Sequence, residues 1–174
     1  TNRVDAATGS RITPGTSPGI LSTGNLTLTT GVDFDIEVGG TTAGTNFDQV
    51  DVTGTVTLGS ARLNTSGGYA ASVGDNQIII NNDGADVVSG TFAGKPEGIL
   101  LDIGVYRAAL TYVGGDGNDV ELLAAFPEID VQGNGVSIAN NDLTPTTTDG
   151  TDVGTAYEGS FKLDTFIIRN TGLD

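Results

Sequence analysis

The sequence predicts an all-β protein, and three observations predict it. Apolar and polar residues alternate at period two along several stretches. Clusters of Gly, Asn, Asp and Thr punctuate those stretches as turns. Strong helix formers are scarce, while Gly supplies 27 of the 174 residues.

The elements follow in chain order. Leu26, Leu28, Val32, Phe34, Ile36 and Val38 share one parity, and Asp33, Asp35 and Glu37 take the opposite face. This predicts a half-buried strand pair or one long bent strand, with Thr30-Gly31 as the bend. Val50, Val52, Val56 and Leu58 repeat the pattern, with Asp51, Thr53, Thr55 and Thr57 outward. At Gly59-Ser60 the parity switches, and Ala61 and Leu63 continue in the other register. A bulge or tight turn accounts for the switch. Gln77 to Ile80 reads as a short apolar strand and Val87 to Phe92 as another. Tyr106, Ala108, Leu110 and Tyr112 face one way, and Arg107 and Thr111 the other. Gly114-Gly115-Asp116-Gly117-Asn118 then forms a turn, and Val120 and Leu122 resume a strand, which predicts a hairpin. Phe34, Phe47, Tyr69, Phe92, Tyr106 and Tyr112 are expected in the core or capping strands.

Phe126-Pro127-Glu128 marks a change of composition. A domain boundary is placed there, giving regions 1–125 and 126–174. Beyond it Ile129 and Val131 alternate with Asp130. A polar stretch from Asn140 to Gly154 contains Pro145, and a last strand carries Phe161, Leu163, Phe166, Ile167 and Ile168. Roughly three or four strands fit in this region, too few to close a sandwich.

Composition excludes several function classes. Lys and Arg total 7 against 22 Asp and Glu, a net charge of -15. Such a chain cannot hold a phosphate backbone by charge, so no nucleic-acid partner is expected. The chain has no Cys and no His. That removes disulfides, thiolate zinc sites, cysteine nucleophiles and any Ser-His-Asp triad. Apolar runs such as Ile78 to Ile80 and Ile99 to Leu101 are too short to span a bilayer, so no membrane insertion is expected in this segment. The chain starts at Thr1 without an initiator Met or a leader pattern. A piece of a longer protein is therefore expected.

Two stretches resemble known families. Residues 13–123 resemble the passenger-associated repeat region near the end of β-helical bacterial autotransporters and related surface proteins. The resemblance rests on Thr13-Pro14-Gly15-Thr16-Ser17-Pro18-Gly19, Ile36-Glu37-Val38-Gly39-Gly40 and Phe47-Asp48-Gln49-Val50 through Val52-Thr53-Gly54. Gly90-Thr91-Phe92-Ala93-Gly94 and Tyr112 with Gly114 through Val120 complete it. Residues 127–172 resemble the opening of an immunoglobulin-like repeat of the choice-of-anchor D type. Here the residues are Pro127-Glu128-Ile129-Asp130-Val131, Asp149-Gly150-Thr151-Asp152-Val153-Gly154 and Phe166-Ile167-Ile168-Arg169-Asn170-Thr171-Gly172. The resemblance implies terminal coils of a parallel β-helix or β-roll, then a partial immunoglobulin-like β-sandwich that stops about halfway. It implies a secreted or bacterial cell-surface setting and no activity.

Five features could carry chemistry. Gly114-Gly115-Asp116-Gly117-Asn118-Asp119 matches the start of the calcium-binding nonapeptide G-G-x-G-x-D. Asp116, Asn118 and Asp119 would be the metal ligands, and calcium the one possible cofactor. The plain alternative is a hairpin turn, since there is one copy and Glu121 stands where an apolar residue belongs. Asp33, Asp35 and Glu37 form an acidic ladder whose alternate members lie about 6.5–7 Å apart, too far for one small ion. A solvated face that resists aggregation is the plain reading. The Asp-rich loop from Asp142 to Asp152 reads as a flexible loop. Thr27 and Thr29, then Thr53, Thr55 and Thr57, form rows that could bind a crystalline surface or simply sit on exposed strands. Paired carboxylates could cleave polysaccharides, though 22 acids offer pairs by chance.

The sequence reading is therefore a non-enzymatic structural or assembly segment: a stalk, a spacer or a fibre subunit. The incomplete second module is expected either from truncation of a longer protein or from completion by other copies of the same chain, the one partner expected, through β-strand addition. The alternatives are an adhesin-like module stiffened by calcium and a polysaccharide-active β-helix enzyme.

Overall fold

The structure is a computed structural model that describes residues 2–172. Among the described residues there is no helix, and the chain forms two compact units, Thr1–Ala125 and Phe126–Asp174.

The described residues of the first unit form twelve strands. They are β1 (Arg3–Ala6), β2 (Arg11–Ile12), β3 (Ile20–Thr23), β4 (Asn25–Leu28), β5 (Asp33–Val38), β6 (Gln49–Val52), β7 (Val56–Thr57), β8 (Arg62–Gly67), β9 (Asn76–Asn82), β10 (Leu100–Ile103), β11 (Tyr106–Gly114) and β12 (Asp119–Ala125). The first nine are dealt in rotation to three sheets. One sheet has the order β1-β4-β7, the second β2-β5-β8, and the third begins β3-β6-β9. Every pairing among these nine strands is parallel. The third sheet then changes character. β12 joins β9 antiparallel, β11 joins β12, and β10 joins β11.

The alternating pattern produces this arrangement. Leu26, Leu28, Val32, Phe34, Ile36 and Val38 are all buried, as their shared parity requires. The register places apolar on apolar in successive passes: Leu26 beside Val56, Phe34 beside Leu63, Val50 beside Ile80. Their side chains form one core, into which Phe92 stacks on Phe34 with ring centroids 5.6 Å apart. Thr30-Gly31 is a turn that moves the chain from the first sheet to the second, and Gly31 takes φ +83°. Gly59-Ser60 makes the equivalent turn one pass later. There a Cβ on Gly59 would run into the Leu28 carbonyl, so glycine is required by the close approach of two passes.

The structure departs from the sequence reading in four places. Val87 to Phe92 is not a strand. Ser89 alone bridges to Thr57, and the glycines at 84 and 90 take positive φ on either side. Phe92 is buried from a loop rather than from a ladder. Strands β1, β2 and β3 lie in the first 23 residues, where alternation is too short to read. β10 occupies Leu100–Ile103, which the sequence left unassigned. Phe161 and Leu163 lie outside any strand, at 82% and 85% exposure.

The second unit holds one three-stranded antiparallel sheet: β13 (Ile129–Gly133), β14 (Val136–Ser137) and β15 (Phe166–Asn170), in the order β14-β13-β15. Asn134-Gly135 joins β13 to β14 with both residues at positive φ, the geometry of a type I′ hairpin turn. Cross-strand pairs put Val131 opposite Ile168 and Gly133 opposite Phe166, with Ile129 on the same face. Asp130, Arg169, Gln132 and Ile167 take the other face. Ile129, Phe166 and Ile168 are exposed, so the sheet presents an uncovered apolar side.

Substitution separates core from surface. Phe92→Ala is expected to lower the unfolding free energy by about 3–5 kcal/mol. Phe161→Ala is expected to change it by less than ~0.5 kcal/mol. Urea denaturation followed by circular dichroism checks both.

Candidate functional site

The turn between β11 and β12 is tied to β12 through Glu121, which is itself held to β9. Glu121 accepts from the Gly115 N–H at 3.0 Å and from the Asn76 amide at 2.5 Å, and Gly117 N–H donates to the Gly114 carbonyl at 2.7 Å. A register shift between Thr111 and Gly114 lets the turn fold over. The structure divides Asp116, Asn118 and Asp119 by exposure. Asp116 is exposed, and Asn118 and Asp119 are buried. Asp119 Oδ1 accepts from the Asn82 N–H at 2.7 Å, so it caps the end of β9. Burial holds the Asp119 carboxyl above its ordinary value, and the Asp116 charge adds to this. The Asn82 and Asp116 N–H groups oppose the rise. Among the described residues no group of three or more acidic side chains is placed to hold a metal ion.

The acidic ladder on β5 is an ion-paired face. Parallel register sets Arg11 beside Asp33 and Arg62 beside Asp33 from the two flanking strands. Arg62 Nε meets Asp33 at 2.7 Å, and Arg11 reaches Asp35 at 3.1 Å. The Asn64 amide also donates to Asp35 at 2.8 Å. The hydrogen bond from Arg62 holds the Asp33 carboxyl below the usual value, assisted by Asn64 and the charge of Arg11. Glu37 accepts from the Ser17 hydroxyl.

Beside the ladder lies an open cleft of about 390 Å³, lined by 13–17, Asp35, Glu37 and Asp48 among others. Its acids are committed. Asp35 and Glu37 are bound as described. Asp48 is buried, and accepts from the Gly19 N–H at 2.8 Å and the Glu37 N–H at 2.9 Å. Asp48 thereby joins the loop before β3 to β5. The sequence signal for Asp48 was weak, since one Asp after Phe47 looks like any surface acid.

Two members of the threonine rows, Thr29 and Thr53, and Thr30 beside them bond across the stack. Thr29 Oγ1 donates to the Ala6 carbonyl at 3.1 Å, Thr30 Oγ1 to Gly59 at 3.0 Å, and Thr53 Oγ1 to Thr23 at 3.3 Å. Each bond links one pass of the chain to the next. The loop from Asp142 to Asp152 is built by its own acids. Asp142 Oδ1 accepts from the Thr144 N–H and hydroxyl, and Asp149 Oδ1 from the Thr151 N–H and hydroxyl.

No known protein family, curated protein or solved structure matches the chain. Among the described residues no helix is long and apolar enough to cross a membrane.

Two outcomes follow from these bonds. In Arg62→Gln the Asp33 pKa, read by NMR titration, is expected to rise toward 3.8, the unperturbed value. The sign follows from linkage: the pairing contributes stability above that value and loses it as pH falls through the lowered one. Asp48→Ala strands two backbone donors, and is expected to cost about 2–4 kcal/mol by chemical denaturation, with Asp48→Asn milder because it keeps one acceptor.

Proposed function

We propose that this chain is a non-catalytic structural segment of a secreted or cell-surface bacterial protein, acting as a stalk, spacer or fibre subunit. In this reading the first unit is the terminal part of a parallel β-helix or flattened roll, and the second is an incomplete immunoglobulin-like module. One observation carries it: the third sheet runs parallel through β3, β6 and β9 and then turns antiparallel through β12, β11 and β10.

A parallel stack can be extended by further passes, and it exposes a strand edge wherever it ends. A hairpin laid on the last parallel strand closes that edge. The outermost strand, β10, is four residues long and carries an Asp102–Arg107 ion pair with its neighbour. Short, charged edges resist further pairing. Such a unit is stiff and self-limiting, which suits a spacer. The acidic, thiol-free composition and the two family resemblances support the surface setting.

The second unit supports strand addition between copies. β15 is an edge strand with every residue exposed, and the apolar side of its sheet is uncovered. Three strands with one open apolar face are marginal alone in water. The exposed segment before β15 has the alternation of a donor strand, with Tyr157, Phe161 and Leu163 on one parity and Glu158, Lys162 and Asp164 on the other. A calcium-stiffened, adhesin-like module is the second reading, favoured by the buried amide oxygens of Asn82 and Asn118, which meet no donor among the described residues.

Light scattering on a size-exclusion column tests the proposal. The expected result is a regular multiple of 17.6 kDa at micromolar protein, reduced to the single mass by Ile168→Lys. A single 17.6 kDa species at every concentration overturns strand addition.

A further inference from the structure

Asn82 and Asn118 each bury a side-chain oxygen that meets no hydrogen-bond donor among the described residues. The two residues are 2% and 5% exposed. Their amide orientations follow from their neighbours. Asn82 Nδ2 donates to the Asp86 carbonyl at 2.7 Å and the Asn118 carbonyl at 3.3 Å. Asn118 Nδ2 donates to the same Asp86 carbonyl at 3.0 Å and to Gly84 at 3.4 Å. Reversing either amide would press its oxygen against carbonyl oxygens. Both nitrogens converge on one atom, so the two side chains are neighbours at the junction of β9 with the β11–β12 turn.

A buried oxygen with unused lone pairs calls for a donor or a cation. The acids that neighbour these two residues in the chain favour the cation. Asp83 and Asp86 follow Asn82 in the chain, and Asp116 and Asp119 flank Asn118. Asp119 is itself buried and bonded to the Asn82 N–H at 2.7 Å. None of these four acids takes part in the ion pairs found among the described residues, which join Arg3 to Asp5, Arg11 to Asp35, Arg62 to Asp33 and Arg107 to Asp102. Every potential ligand is oxygen: amide, carbonyl or carboxylate. Oxygen donors with excess negative charge suit a hard divalent cation of the calcium class.

We propose that Asn82 and Asn118 are ligands of a calcium-class site at the junction of β9 and the β11–β12 turn, with the adjacent aspartates supplying charge. This ligand set differs from the run Asp116, Asn118 and Asp119 within the turn. It draws on a residue 36 positions earlier, so the ion fastens the closing hairpin to the last parallel strand. It deepens the calcium-stiffened reading. It is independent of strand addition in the second unit, and failure of either leaves the other standing.

Titrating calcium chloride into the full chain tests the site. The side-chain amide resonances of Asn82 and Asn118 are followed by NMR, and the melting temperature is measured in calcium and in chelator. The expected result is a saturable shift of both amides at one ion per chain, with a melting temperature higher by roughly 5 °C. Asp116→Asn, at an exposed position, is expected to weaken binding by roughly two- to five-fold. Shifts that never saturate and spread over the loop from Asp142 to Asp152 would mean diffuse counter-ions and overturn the site. Unmoved amides with no thermal response would overturn it equally.

Discussion

The first unit depends on the registration of apolar side chains between strands about thirty residues apart. No single pass through the three sheets can bury its own apolar row. Leu26 needs Val56, Phe34 needs Leu63 and Val50 needs Ile80. A slip by one residue would turn every one of these side chains outward. The outer face repeats the same register in polar chemistry. Arg11, Asp33 and Arg62 stand side by side, and so do Asp35 and Asn64. Threonine hydroxyls and the Asp48 carboxylate add bonds between passes. Core and surface thus enforce one alignment.

That regularity also creates an edge problem, and the closing hairpin answers it. Burying a hairpin end requires polar atoms to follow the backbone inside. Asp119 caps the Asn82 N–H, Glu121 holds the Gly115 N–H, and the Tyr112 hydroxyl accepts from Phe92 N–H while donating to the Lys95 carbonyl. Partly buried Tyr69 and buried Gln77 and Tyr106 form a second chain of hydrogen bonds, and burial raises both tyrosine pKa values. These groups concentrate where parallel pairing gives way to antiparallel, the place where the backbone is least able to satisfy itself.

Much of the fold was legible because period-two alternation is a local signal. The inward row from Leu26 to Val38, the turns at Thr30-Gly31 and Gly59-Ser60, and the hairpin from Tyr106 to Leu122 could all be read that way. Pairing partners could not, because register is set by residues far apart in the chain. One trace was present: Ile20 to Leu28 and Gln49 to Leu58 follow similar patterns, each with a glycine between strands. Val87 to Phe92 misled because Phe92 is buried from a loop, which alternation cannot distinguish from a strand. Asn134-Gly135 is a strong hairpin signal that composition-level reading passed over. The oxygens of Asn82 and Asn118 were invisible, since an Asn in a polar loop has no sequence mark of burial.

The stacked register is the claim on which the rest stands, and engineered cross-linking tests it most directly. The natural chain has no Cys, so a pair introduced on the outer face reports without competition. Asp35 and Asn64 are register partners on adjacent parallel strands. Directly opposed Cα atoms lie about 5 Å apart, within disulfide reach. The account predicts that Asp35→Cys with Asn64→Cys oxidises readily within one chain, while Asp35→Cys with Arg62→Cys, displaced by two residues, does so poorly. Preferential oxidation of the displaced pair, or of neither, would contradict the stacked register.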